Sequence, residues 1–166
     1  MTATLIVTAF PLLMILAGAG DAIALRIPNW IVAALVILFI PASYFAGLGW
    51  SGVLPHLAAF AVLLAAGFFL FAANIFGAGD AKLLAAAGLW FGWPASAPFL
   101  SWTIVAGGVL AVAVAIWSLI QLNSEVKGGR AAKLLGSWKP NVPYGYAIAA
   151  GAILALPQSV WIGLLG

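Results

Sequence analysis

Long stretches without a charged side chain constrain this chain more than any other feature of its sequence. Asp, Glu, Lys and Arg are all absent from residues 1–20, 27–79, 83–124 and 140–166. A membrane-spanning helix needs about 20 apolar residues, because the hydrocarbon core is about 30 Å thick and an α-helix rises about 1.5 Å per residue. Each stretch is therefore long enough for one or two spanning helices.

The overall composition excludes several classes of protein. The chain is 66% hydrophobic and 5% charged, whereas a soluble domain carries about 25% charged residues. It has no cysteine and one histidine, which excludes a disulfide framework, a thiolate zinc site and a cysteine nucleophile. Six basic residues scattered between apolar stretches are typical of membrane orientation and not of nucleic-acid binding. We expect neither a metal nor a cofactor.

Prolines and glycines divide the apolar stretches into separate helices. The sequence predicts six spans, over about residues 3–20, 29–47, 55–75, 79–93, 98–121 and 144–164. There is no internal repeat and no polar segment long enough for a second domain. We therefore expect residues 1–166 to form a single all-α, polytopic membrane domain.

The charged residues lie only in the turns after the first, third and fifth predicted spans. Lys and Arg next to spans stay on the cytoplasmic side, so both termini are expected outside the cytoplasm. Residues 1–20 are interpreted as a permanent span, because the first basic residue, Arg26, follows the apolar run, the reverse of a secretory signal. His56 falls on the outer side, where a solvated turn residue is expected, and tryptophans near span ends are interpreted as interfacial anchors.

The turn after the fifth span is the most basic part of the chain. Between Asn123 and Asn141 it carries Lys127, Arg130 and Lys133 at three-residue spacing, with leucines and a tryptophan nearby. This pattern predicts a short helix on the inner leaflet, where anionic lipid is its expected partner.

The only two aspartates, Asp21 and Asp80, fall at the same predicted membrane level, at the inner end of the first span and the inner start of the fourth. A carboxylate near the membrane interior is a functional candidate because burying it there is costly. Two carboxylates that share one proton can deprotonate a water and protonate a leaving nitrogen, as peptide hydrolysis requires. We expect such a pair to titrate as one coupled unit.

Each aspartate also has a structural interpretation. Asp21 can pair with Arg26, and Asp80 can cap the fourth helix by accepting its free backbone N–H groups. That interpretation does not explain Gly77 and Gly79, whose lack of side chains lets backbone or substrate approach closely.

Three motifs in this order resemble those of the type IV prepilin peptidases, which are GxGD-type intramembrane aspartyl proteases. They are Asp21 followed after four residues by Arg26-Ile27-Pro28-Asn29, then Gly77-Ala78-Gly79-Asp80-Ala81-Lys82-Leu83-Leu84, then Pro143-Tyr144-Gly145. The resemblance covers nearly the whole chain and is to the short form that serves tight-adherence (Flp-type) pili. It implies removal of the short basic leader of a prepilin or pseudopilin at the cytoplasmic face of the bacterial inner membrane.

The resemblance also implies roles for individual residues. Asp21 and Asp80 are the expected catalytic aspartates, and Gly77 and Gly79 are expected to shape the backbone that begins the fourth helix. Two cations of the motifs, Arg26 and Lys82, are either orientation charges or partners that steady the site. Asn29 is expected to satisfy the turn after Pro28, and Pro143, Tyr144 and Gly145 either line the substrate entrance or begin the last helix.

The chain departs from the longer members of the resembled family, which carry a cysteine-rich zinc segment between the first spans and also methylate the new N-terminus. With no cysteine, this sequence supports cleavage and leaves N-methyltransferase activity in doubt. Two other function classes stay open on the residues alone. A proton-coupled transporter would use the aspartates as a relay, and an assembly subunit would not need them.

Overall fold

The computed structural model of the protein describes residues 2–127 and 143–164. This part of the chain is entirely helical, which confirms the predicted all-α class. Its α-helices are α1 (Thr2–Ala24), α2 (Asn29–Phe45), α3 (Trp50–Ala72), α4 (Ala78–Lys127) and α5 (Tyr144–Ala155), followed by the 3₁₀ turns Leu156–Gln158 and Ile162–Leu164. Most of the predicted inner-leaflet helix, from residue 128 to Asn141, lies outside the described residues.

Helix α4 contains a sharp break at Gly92, whose φ of 65° and ψ of 176° are not helical. Before the break α4 reaches Trp90, which contacts Trp161. After the break, Thr103 packs directly against Gly151, which comes ten residues before Trp161 in the chain. The chain therefore turns back at Gly92, and α4 supplies two antiparallel arms where the sequence predicted separate fourth and fifth helices.

The carbonyl groups left free at this break are satisfied by side chains from elsewhere in the chain. Nδ1 of His56 lies 2.8 Å from the carbonyl oxygen of Leu89, and Nε1 of Trp161 donates to the carbonyl of Trp90. A helix end leaves carbonyls without intrahelical partners, and leaving them unpaired in the interior is costly. His56 and Trp161 thus complete the end of the first arm of α4.

The interpretation of His56 as a solvated turn residue was wrong. The side chain is 4% exposed, because α3 begins at Trp50, five residues before the predicted start, and places His56 on the face packed against α4. The description of tryptophans as interfacial anchors also fails for Trp90 and Trp161, which are fully buried against each other. Trp50 itself is exposed, as an anchor would be.

Other predicted boundaries shift for local reasons. Helix α1 continues to Ala24, so that Asp21 lies in its last turn. The last α-helix ends at Ala155, not near residue 164 as predicted, because Pro157 has no N–H to continue the hydrogen-bond ladder and the next residues form a 3₁₀ turn.

Small residues bring α3 and α4 into close contact. A Cβ added to Gly67 would lie 2.9 Å from the Cα of Ala81, and one added to Gly88 would overlap Cδ1 of Leu63. Ala85, which lies between Ala81 and Gly88 on the same face of α4, is fully buried. The stripe of Ala81, Ala85 and Gly88 therefore serves close helix packing.

Large apolar side chains cover much of the outer surface of the described residues. Examples are Ile37, Phe69 and Ile104, which are 62%, 71% and 72% exposed. Within the described residues, two helical segments, Trp50–Ala72 and Ala78–Gln121, are long and apolar enough to cross a membrane by length and composition. Apolar parts of α1 and α2, Thr8–Ala24 and Asn29–Phe45, are shorter.

Candidate active site

Asp21 and Asp80 lie in the same pocket, which has a volume of about 570 Å³. The pocket is formed where the last turn of α1, the loop from α1 to α2, and the first turn of α4 meet. Its lining includes every residue that the first two sequence motifs predicted for the site, namely Asp21, Arg26, Asn29, Gly77, Gly79, Asp80 and Lys82. It also includes Leu25, Ile27, Pro28 and Ala78, to which no site role was assigned.

Asp80 is held by the start of its own helix. The backbone N–H of Gly77 donates to Oδ2 of Asp80 at 3.0 Å, and the N–H of Ala81 bonds the carbonyl of Gly77 at 3.2 Å. The third residue of a helix commonly reaches back in this way to the residue before it. The capping role considered for Asp80 is therefore present, and it orients the carboxylate toward the pocket.

Asp21 is bound by the start of a different helix, α5. The backbone N–H of Tyr146 donates to its Oδ2 at 3.3 Å. The neighbouring amide of Gly145 interacts with both carboxylates, Asp21 and Asp80. The first N–H groups of a helix have no intrahelical partners and carry partial positive charge, so they stabilise carboxylates placed there.

Gly145 leaves no room for a side chain. A Cβ at this position would lie 2.8 Å from Oδ2 of Asp21 and 2.6 Å from Cδ1 of Ile27. Gly79 faces the same side chain, since its added Cβ would lie 3.3 Å from Cβ of Ile27. The two glycines thus bring the starts of α4 and α5 close to Asp21, with Ile27 between them.

Ile27 lines the pocket although sequence reasoning assigned it no role, even inside the first motif. The nearest signal in the sequence is an apolar, β-branched residue between Arg26 and Pro28. That signal does not show that Ile27 fills the space beside Gly79 and Gly145. Only the tertiary structure brings these residues together.

The two cations of the motifs do not bind the aspartates. Nζ of Lys82 donates to Oδ1 of Asn29 at 3.3 Å, and the exposed Arg26 lines the pocket. In the described part of the chain, backbone amides act on both Asp21 and Asp80, and the charge of Asp21 acts on Asp80. Neither Arg26 nor Lys82 acts on either carboxylate. The proposed pairing of Asp21 with Arg26 is absent, and Asn29 joins the start of α2 to α4.

The residues of the third motif differ in position: two of them begin α5, and one lies against the aspartates. Pro143 is the N-cap of α5, and its carbonyl accepts from the N–H of Tyr146 at 3.1 Å. Tyr144 packs on Phe76, with ring centroids 5.0 Å apart. Gly145 alone reaches the aspartates, so its two neighbours fit the role of beginning the helix.

The chemistry available in this pocket is that of two carboxylates beside backbone N–H groups. In the described part of the chain no three His, Cys, Asp or Glu side chains come together as a metal ion would need. Two carboxylates that line one pocket can share a single proton between them. Such a pair can act as acid and base on a bound water.

Comparison with known families gives one match. The family model for the type IV leader peptidases matches residues 8–112 of this chain. The matched segment contains Asp21, Asp80 and the whole lining of the pocket, and it ends before α5. No curated protein and no solved structure matches the chain.

Proposed function

The chain belongs to the type IV leader peptidase family, and from that premise we propose that it cleaves the short basic leader from prepilins with Asp21, Asp80 and a water molecule. The observation that carries the proposal is the shared pocket of the two aspartates, in which backbone N–H groups at helix starts bond both carboxylates, that of Tyr146 to Asp21 and that of Gly77 to Asp80. The family implies a peptidase acting on prepilins in general. The catalytic pair and the finer substrate class are the proposal.

In the proposed reaction a water lies between the two carboxylates, one ionised and one protonated. The ionised carboxylate accepts a proton as the water oxygen attacks the carbonyl carbon of the scissile bond, while the protonated one hydrogen-bonds the carbonyl oxygen. Collapse of the tetrahedral intermediate breaks the C–N bond and the leaving nitrogen takes a proton from the pair. The products are a leader carboxylate and a new amino terminus, and no acid or base role is assigned to either aspartate alone.

We further propose that the substrates are Flp-type prepilins or pseudopilins and that the protein spans the bacterial inner membrane six times. The two arms of α4, together with α1, α2, α3 and α5, supply the six helical segments for this arrangement. The exposed apolar side chains support contact with lipid. In this orientation the pocket faces the cytoplasm, beside Arg26 and Lys82.

The test is to co-express the chain with a candidate prepilin and to locate the new N-terminus by mass spectrometry. Asp21→Asn and Asp80→Asn should each abolish leader removal, because an amide neither accepts the proton of water nor shares one with its partner. Each Asn still offers an oxygen to the N–H of Tyr146 or of Gly77, so protein level and membrane insertion should be unchanged.

The matched control is Ser101→Ala, an exposed hydroxyl in the second arm of α4, which should process prepilin normally. Wild-type processing by either Asn variant would refute the catalytic pair. Proton-dependent ion flux that is lost in both Asn variants, with no prepilin cleaved by the wild type, would favour the transporter alternative.

A further inference from the structure

The two candidate catalytic side chains line the pocket but are largely covered by their neighbours. Asp21 is 5% exposed and Asp80 is 8% exposed. A general acid or base must come within about 3 Å of the proton it transfers. The pocket beside the pair has room for a peptide segment, but a peptide bond and a water come this close to both covered carboxylates only if part of the covering structure moves.

The loop from α1 to α2 is the covering element best able to move. The other walls of the pocket are the ends of α1 and α4, whose side chains form much of the buried core, whereas the loop places only the partly buried Ile27 against that core. Residues 25–28, which we call the α1–α2 loop, are not helical, and all of them line the pocket. Leu25 has a φ of 51°, a left-handed conformation that is unfavourable for a leucine.

Ile27 is the part of this loop that blocks the site. Its side chain lies against both Gly79 and Gly145, where added Cβ atoms would fall 3.3 Å and 2.6 Å from Ile27 atoms. The Cβ added to Gly145 would also lie 2.8 Å from Oδ2 of Asp21. Two glycines without side chains leave a space beside the aspartates, and in this conformation Ile27 occupies it.

Besides the packing of Ile27, a side-chain hydrogen bond ties the far end of the loop to α4. Asn29, the first residue of α2, accepts a hydrogen bond from Nζ of Lys82 at 3.3 Å. Both residues are exposed, so water competes for the bond and its net contribution is small. The contact favours the closed loop without locking it.

We propose that the α1–α2 loop is a lid over the aspartates, with Ile27 as its plug and the Lys82–Asn29 hydrogen bond as its latch. When the lid opens, the backbone of the substrate takes the space between Gly79 and Gly145. The inference rests on the proposed function for the identity of the substrate. Because only the open fraction binds, closing the lid weakens the apparent affinity by that fraction.

The chain has no cysteine, so one introduced thiol reports on the lid without any need for catalysis. Asp21→Cys places a thiol at the covered position, and its modification by a charged thiosulfonate reagent is measured on protein reconstituted in lipid nanodiscs. Adding Ile27→Ala should speed modification at least about tenfold, since water and reagent then reach position 21.

The matched control is Ile31→Ala, which removes the same atoms from a residue that is 2% exposed in the core of α2. It should leave the modification rate of Asp21→Cys unchanged. If Ile27→Ala does not speed modification, or if Ile31→Ala speeds it equally, the lid is refuted. Ile27→Val, which removes a single methyl, serves if the alanine variant does not fold, with a smaller acceleration expected and an unchanged rate again refuting the lid.

The latch is tested in the same assay. Asn29→Ala and Lys82→Ala remove the same hydrogen bond, so each should speed modification of Asp21→Cys and the double variant should not exceed either one. Fully additive effects, or none, would refute the latch. Failure of the wild type to cleave prepilins would refute the proposed function, whereas this thiol readout would still decide the lid.

Discussion

The backbone N–H of Tyr146 donates a hydrogen bond to Oδ2 of Asp21 at 3.3 Å, across 125 positions of the chain. This contact sets the start of α5 against the last turn of α1. The neighbouring amide of Gly145 acts electrostatically on Asp80 as well as on Asp21. The candidate site is therefore complete only when the C-terminal helix is packed.

Gly145→Ala should inactivate the enzyme. Its Cβ would fall 2.8 Å from Oδ2 of Asp21, so the carboxylate or α5 must shift, and a displacement of about 1 Å at a catalytic group can reduce the rate about 100-fold. Leader removal is measured alongside the melting temperature in detergent. Gly108→Ala is the control, since no atom lies within 4 Å of its added Cβ; full activity of Gly145→Ala would contradict the close approach described here.

Two substitutions of Asp80 should separate its capping role from its chemical role. Asp80→Asn keeps an oxygen for the N–H of Gly77 and should retain most of the stability. Asp80→Ala loses that bond and should cost about 1 kcal/mol more. Both should be inactive in leader removal. Equal melting temperatures for the two variants would show that the hydrogen bond to Gly77 contributes nothing to stability.

Gly88→Ala should destabilise the contact of α3 with α4, because the new methyl group would overlap Cδ1 of Leu63. Overpacking of this kind costs about 1–3 kcal/mol. Shortening the partner in the double variant Gly88→Ala/Leu63→Ala relieves the overlap, so the two changes should together cost less than their sum. Thermal unfolding of the four proteins tests this, and strict additivity would contradict direct contact.

His56→Ala should lower stability although His56 is far from the aspartates. It leaves the carbonyl of Leu89 unpaired in the interior, which costs about 1–3 kcal/mol before any cavity is counted. Ser101→Ala is the control, because the exposed hydroxyl of Ser101 bonds a carbonyl within its own helix. Unfolding in detergent should show a clear drop for His56→Ala only, and an unchanged melting temperature there would contradict the capping of α4 by His56.

The orientation of the chain can be tested with single introduced cysteines. Ser51 and Ala78 are both exposed, near the start of α3 and of α4 respectively. With the pocket facing the cytoplasm, an impermeant maleimide added to intact spheroplasts should label Ser51→Cys and not Ala78→Cys. Both should react after the membrane is opened. Labelling of Ala78→Cys alone in intact spheroplasts would reverse the proposed orientation.

Much of the site follows from local sequence. Asp21 and Asp80 are the only aspartates, and the charge pattern predicted one level for both before any contact was known. The structure places both in one pocket. The helix class was equally predictable, because long apolar runs punctuated by Gly and Pro leave few alternatives to helices.

Local sequence was a poor guide wherever a distant residue decides the outcome. The turn of α4 occurs at Gly92, inside the fourth predicted span over 79–93, because Gly92 adopts a φ of 65° beside the ring of His56. His56 in turn is buried because a carbonyl freed by that break needs a donor. Neither residue carries a periodic signal that predicts the other.

What the sequence determined by itself was the helical class and the two carboxylates at one end of the helices, since both follow from composition and from the order of apolar and charged segments. Only the tertiary structure decided which residues pack around those carboxylates. Gly145 reaches Asp21, and Gly79 and Gly145 reach Ile27, through packing between segments that are far apart in the chain. Local propensity acts over a few residues, whereas such contacts depend on how whole helices fit together.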